Sequence, residues 1–205
     1  MRLTQFVALL FVSSGLFVEC HAQDIGLPSI DPQGDGVVDL LKNRLDDWKA
    51  EDGRPIDNWR VSNGVLTNWK AGSHLVTQEK YRDFDLSLQF SLPRGGNSGV
   101  YLRGRYEVQL YDGTDVPPNK CTGSIWGQIA VESQMYKGNG AWNELQVRMQ
   151  GNKVTVLINR KPVIRSQELK GPTRGAIDQN ESGPGPILLQ SLRGARFRNI
   201  MIKEL

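Results

Sequence analysis

Histidine and cysteine are almost missing from this chain: two of each occur in 205 residues. One of each, Cys20 and His21, sits at the end of an N-terminal stretch with the marks of a secretory leader. Arg2 supplies the positive start, Phe6 to Val18 an apolar centre too short to span a bilayer, and Ala22 a small residue for cleavage. Residues 1–22 are therefore expected to be a signal peptide that directs the product to the periplasm or outside the cell. Cleavage would leave Cys121 and His74 alone, which excludes an internal disulfide and any metal site built from several histidines. A divalent metal, if one binds, would be held by oxygens, or by His74 with Glu107 and Asp112.

Long apolar runs are absent after the leader, so no stable membrane insertion is expected. Charge of one sign is lacking too. The formal net charge is +3, and the basic residues are interspersed with acids, which argues against nucleic acid as a partner. Residues 23–36 (QDIGLPSIDPQGDG) show no apolar period and read as a linker, leaving residues 37–205 as one domain. Helical periodicity is also scarce; only Val37 to Trp48 could form a short helix.

Strand signals fill the remainder. Asn63-Gly64 stands between Trp59-Arg60-Val61 and Val65-Leu66-Thr67 as a two-residue hairpin turn. Phe84, Leu86, Leu88 and Phe90 alternate with Asp85, Ser87 and Gln89. Some ten short strands with Gly and Pro turns imply an all-β sandwich of two antiparallel sheets, in the manner of a jelly roll.

The most informative stretch is Gly95 to Asp112, GGNSGVYLRGRYEVQLYD. From Val100 to Tyr111 the even positions are apolar or glycine, while the odd positions carry Tyr101, Arg103, Arg105, Glu107, Gln109 and Tyr111. Side chains of a strand alternate between faces, so one face is a row of forked donors, a carboxylate, an amide and aromatic platforms. Groups of these kinds bind sugars. Glu107, the carboxylate in mid-row, is the expected base or acid, with Gln109 holding a hydroxyl. Asp112 follows a change of parity, either re-aimed by a bulge or a plain turn residue. Arg103 and Arg105 are expected to clamp hydroxyls or to pair with Glu107. Asn97, Tyr101, Trp126 and His74 are further candidates for substrate contact, whereas Trp142 reads as core. The polar segment 165–186 is long enough to border a cleft.

Five ordered motifs resemble one known family. They are the Gly95–Asp112 segment, Gly123-Ser124-Ile125-Trp126-Gly127, Ala141-Trp142-Asn143-Glu144, Gly185 to Gln190 (GPILLQ) and Arg196-Phe197-Arg198-Asn199-Ile200. Together they look like the 3-keto-disaccharide hydrolase family, from about Leu40 to Leu205. The resemblance implies a concanavalin A-like jelly-roll sandwich, export, and cleavage of oxidised (3-keto) glycosides by hydrolysis or by elimination followed by hydration. It also brings Gln190 into the site and implies an enolate that Arg103 and Arg105 would stabilise. Members of that family commonly carry a His shortly after this Gln, whereas this chain reads Gln190-Ser191-Leu192-Arg193. Either Arg193 substitutes for it, or activity is lost and the domain is a non-catalytic carbohydrate-binding module.

Overall fold

The computed structural model describes residue 27 and residues 29–113, 115–192 and 194–205. The expected leader, the first residues of the linker and Arg193 lie outside the described residues. Thirteen strands follow in order: β1 (Val37–Asp39), β2 (Trp48–Ala50), β3 (Trp59–Ser62), β4 (Val65–Asn68), β5 (Leu75–Thr77), β6 (Phe84–Ser91), β7 (Asn97–Leu102), β8 (Tyr106–Tyr111), β9 (Asn143–Gln150), β10 (Lys153–Ile158), β11 (Lys161–Glu168), β12 (Leu188–Leu189) and β13 (Arg196–Glu204). The helical content among the described residues is a single 3-10 turn, Pro118–Lys120.

The strands form two antiparallel sheets. The larger runs β11-β10-β9-β6-β13-β4-β3, and β1 lies along the second half of β13. The smaller runs β2-β5-β12-β7-β8. Alternation decides what each sheet buries. Leu86, Leu88 and Phe90 of β6, Leu145, Val147 and Met149 of β9, and Phe197 and Ile202 of β13 meet Val100, Leu102, Val108 and Leu110 of the smaller sheet in one core. This is the expected all-β sandwich.

Two local expectations fail for physical reasons. Val37 to Trp48 does not form a helix. Its first three residues pair with β13, Val37 opposite Lys203; residues 40–47 are a run of tight turns closed by three-residue backbone bonds such as Arg44 N to Leu41 O at 3.0 Å, and Trp48 begins β2. Asp39 Oδ1 accepts from Leu41 N at 2.9 Å, and Arg44 adopts a left-handed φ of 61°, both of which stop helix propagation. Val100 to Tyr111 is two strands rather than one. Arg103 and Gly104, with φ of 52° and 68°, turn the chain back into a hairpin. The register pairs Tyr101 with Glu107, Gly99 with Gln109 and Asn97 with Tyr111. Residues of equal parity thus face each other, so the odd-numbered row survives the reversal and doubles into two adjacent columns.

The Asn63-Gly64 hairpin forms as expected, joining β3 to β4 with φ of 49° and 71°. Segment 165–186 starts inside β11 and becomes irregular only after Glu168.

Phe90 is fully buried and stacks on Tyr136 with ring centroids 6.1 Å apart. Phe90→Ala should cost about 3–5 kcal/mol, measured as a lowered urea midpoint at unchanged slope.

Candidate functional site

The doubled odd-numbered row forms the floor of a cleft of about 270 Å³ on the outer face of the smaller sheet. Tyr101 and Glu107 stand opposite each other on β7 and β8, with Asn97 and Gln109 nearer the hairpin's open end. The end of β12 supplies Gln190, whose N–H donates to Gly99 O at 2.9 Å and whose carbonyl accepts from Ser98 Oγ at 2.7 Å. Trp126 arrives on a loop that pairs with the free edge of β8: Gln109 N donates to Ser124 O and Trp126 N to Glu107 O, each at 3.0 Å. Lys120 Nζ lies 5.4 Å from the Trp126 ring centroid. Leu192, 41% exposed, completes the rim.

A strap from Gly171 to Gly183 makes the remaining wall. Thr173 N donates to Arg105 O at 2.8 Å, Thr173 Oγ1 accepts from Glu107 N at 2.9 Å, and Ile177 N donates to Gly104 O at 2.9 Å. These bonds hold Arg174 and Gly175 against the floor. Two glycines make the close approaches possible. A Cβ on Gly99 would overlap the Glu107 carboxyl, and one on Gly175, at φ 88°, would lie 2.7 Å from the Tyr101 hydroxyl.

Glu107 is 4% exposed, and this burial raises its carboxyl pKa to about 7; a hydrogen bond from Tyr101 offsets only part of the shift. The Tyr101 hydroxyl lies 2.9 Å from both Glu107 Oε2 and Arg174 O, and Gln190 Nε2 approaches it at 3.3 Å. One hydroxyl proton serves one acceptor at a time. With Glu107 protonated, its O–H donates to Tyr101, Tyr101 donates to Arg174 O, and every group is satisfied. With Glu107 ionised, the phenol proton turns to the carboxylate and Arg174 O loses its donor. The geometry accommodates both forms, and with the carboxyl pKa raised to about 7 by burial both are populated near neutrality. Asn97 Oδ1 and Gln190 Oε1 are buried in the cleft wall without a protein donor among the described residues, as acceptors awaiting ligand hydroxyls would be.

Of the residues singled out in the sequence, Asn97, Tyr101, Glu107, Gln109, Trp126 and Gln190 come together here. Four do not. Arg103 and Arg105 sit at the hairpin turn, where the left-handed pair carries them out of the row. Arg103 Nη2 bonds Asp83 at 2.8 Å, and Arg105 holds Asp178 with two bonds of 2.6 and 3.0 Å, tying down the strap. Asp112 accepts from Gly95 N at 2.9 Å and from Tyr136 OH at 3.2 Å, closing the turn before β7. His74 Nδ1 accepts from Ser191 N at 2.9 Å, which leaves this half-buried ring neutral and anchoring the residue after Gln190; burial also lowers its pKa. The set His74, Glu107 and Asp112 is thus dispersed among separate tasks, and the described residues contain no cluster of three potential metal ligands. Trp142 is not core: it lies half-exposed under Arg198, whose Cζ is 4.1 Å from its ring centroid. Arg174, Gly175 and Leu192 were missed; the length of segment 165–186 was the sole signal for the first two.

Because Glu107 keeps its proton to about pH 7 when folded, against an ordinary value of 4.5, the folded chain binds an extra proton between those values. Stability contributed by the neutral carboxyl is whole below pH 4.5 and is lost as pH rises through 7, by up to about 3 kcal/mol. Glu107→Gln should abolish this slope: urea midpoints of the two proteins converge below pH 4.5, and the variant is the more stable above pH 7.

The sandwich and cleft can be set beside known proteins. Two candidate glycosyl hydrolases from Parabacteroides distasonis are similar. The first shares 28% identity with TM-score 0.73, covering 83% of this chain and 84% of its own. The second shares 22% with TM-score 0.71, covering 83% and 94%. A carbohydrate-binding module, CBM66 from Bacillus subtilis, shares the fold at 10% identity and TM-score 0.52, covering 77% and 96%. A search of curated proteins gives no match. A family profile, however, matches residues 37–203, spanning both sheets, every described wall of the cleft and the strap across it, so the chain belongs to the family of 3-keto-alpha-glucoside-1,2-lyase-like domains.

Proposed function

We propose that this protein is an exported enzyme that cleaves 3-keto-glycosides at the Glu107 cleft. Its family and its glycosyl hydrolase-like neighbours give it a carbohydrate-active role. The observation that carries the finer reading is Glu107 itself, a carboxyl with a pKa of about 7 facing a cleft with an aromatic rim and two buried amide oxygens that have no donor among the described residues. A group with that pKa exchanges protons in both directions at neutral pH.

A ketone at C3 acidifies the hydrogen on C2. The Glu107 carboxylate takes that proton, and the bonding pair forms the C2–C3 enolate. Collapse of the enolate restores the C3 carbonyl, makes a C1–C2 double bond and expels the C1 oxygen, which takes a proton from the Glu107 carboxylic acid. Water then adds across the double bond, hydroxyl to C1 and hydrogen to C2. Arg174 at the mouth favours the developing negative charge, while Asn97, Gln109 and Gln190 hold hydroxyls. One well-placed carboxyl suffices for this route, whereas ordinary glycosidases flank the bond with two. Gln109, next in the row, cannot act as the second.

The test uses a 3-keto-glucoside with a chromogenic leaving group beside the plain glucoside. Release should be confined to the keto substrate, with kcat rising through about pH 7 as the base ionises. Glu107→Gln should lower kcat by about 10²- to 10⁴-fold. Equal release from the plain glucoside, or full activity in the variant, refutes the assignment.

A further inference from the structure

The outer face of the eight-stranded sheet points away from the Glu107 cleft and carries its own pattern. Register aligns Arg60 with Thr67, Thr67 with Arg196 and Arg196 with Ser91. The pairing of Phe90 with Asn143 brings Trp142, one residue earlier, level with Ser91. These five residues form a transverse line of about 19 Å, at about 4.8 Å per strand. A second line runs beside it: Arg198 lies opposite Gln89, and Gln89 opposite Glu144. Arg196 and Arg198 lie over the Trp142 ring with Cζ 5.4 and 4.1 Å from its centroid. A cleft of about 250 Å³ opens next to them, with Lys137 and Arg160 on its walls.

Along these two lines the charge is one-sided; farther along the same face Asp85 is paired with Arg148 at 2.6 Å. Glu144 is engaged by Arg160 at 3.2 Å. Arg60, Arg196, Arg198 and Lys137 pair with no carboxylate among the described residues. Arg196 donates one bond to Ser91 Oγ and Arg198 one to Gln89 Oε1, so most N–H groups of both forks have no acceptor among the described residues. A sheet face kept only for solubility mixes its signs.

We propose that this face is a second, non-catalytic site that binds a carboxylated polysaccharide. Guanidinium forks match planar carboxylates bidentately. The strand spacing is comparable with one pyranose unit, so successive sugars meet successive strands, with Thr67 and Gln89 offering hydroxyl and amide contacts between the cations, while the buried Ser91 steadies Arg196 from below. A lipid surface fits less well. The large apolar side chains exposed among the described residues are Val38, Trp69, Leu192 and Leu205, and none belongs to either line. Bound here, the protein would be tethered to an acidic glycan with the Glu107 cleft facing outward.

The test is affinity electrophoresis of the purified protein in gels containing polygalacturonate, a neutral glucan, duplex DNA or phosphatidylserine vesicles. The wild type should be retarded by polygalacturonate alone, less so as salt rises. Arg196→Gln with Arg198→Gln should weaken this about tenfold or more at an unchanged melting temperature. Should that variant fold poorly, Arg60→Gln with Lys137→Gln replaces it, with the same expected loss. Glu107→Gln should bind like the wild type, which separates this site from the cleft. Equal retardation of wild type and cation variants, no retardation by polygalacturonate, or equal binding to DNA or vesicles would overturn the proposal.

Discussion

A carboxyl is buried here among neutral partners, and much of the molecule is arranged around tolerating it. Desolvation disfavours the charged form, and among the described residues no cation is hydrogen-bonded or ion-paired to Glu107 to cancel that effect. What Glu107 has instead is a phenol that can donate to it or accept from it. The arginines nearest in sequence, Arg103 and Arg105, are diverted to Asp83 and Asp178. Had either reached Glu107, the carboxyl would ionise at ordinary acidic pH and lose its capacity to give back a proton near neutrality. The hairpin turn at Arg103-Gly104 therefore does electrostatic work as well as topological work.

The strap depends on the same turn. Arg105 and Gly104 anchor it through Asp178, Thr173 and Ile177, so the wall and floor of the cleft share one set of bonds. Thr173 joins them most directly, accepting from the backbone of Glu107 and donating to Arg105 O at 3.0 Å. Strap, turn and the Glu107 carboxyl thereby form one cooperative unit.

The sandwich was legible because alternation is local: Phe84 to Ser91 and Leu145 to Met149 reveal their buried faces without knowledge of their neighbours. Glu107, Gln109 and Tyr101 were legible for the same reason, and parity kept them together across an unseen hairpin. Arg103 and Arg105 were misplaced because a strand pattern says nothing of a left-handed pair when one member is arginine rather than Asn. His74 and Asp112 went astray because their partners, Ser191 N and Gly95 N, are backbone groups that residue identity does not advertise. Arg174 and Gly175 lie in a segment without periodicity, and only tertiary packing brings Arg174, 73 residues from Tyr101, to its hydroxyl.

The loop that carries Trp126 also covers the open side of β8, the terminal strand of its sheet. Unpaired strand edges invite addition of another chain and so promote aggregation. Covering that edge with the aromatic loop removes the hazard, but commits the loop: it can swing away only by exposing the edge again. Trp126 is accordingly a fixed platform rather than a gate, and a ligand that stacks on it finds the ring already ordered.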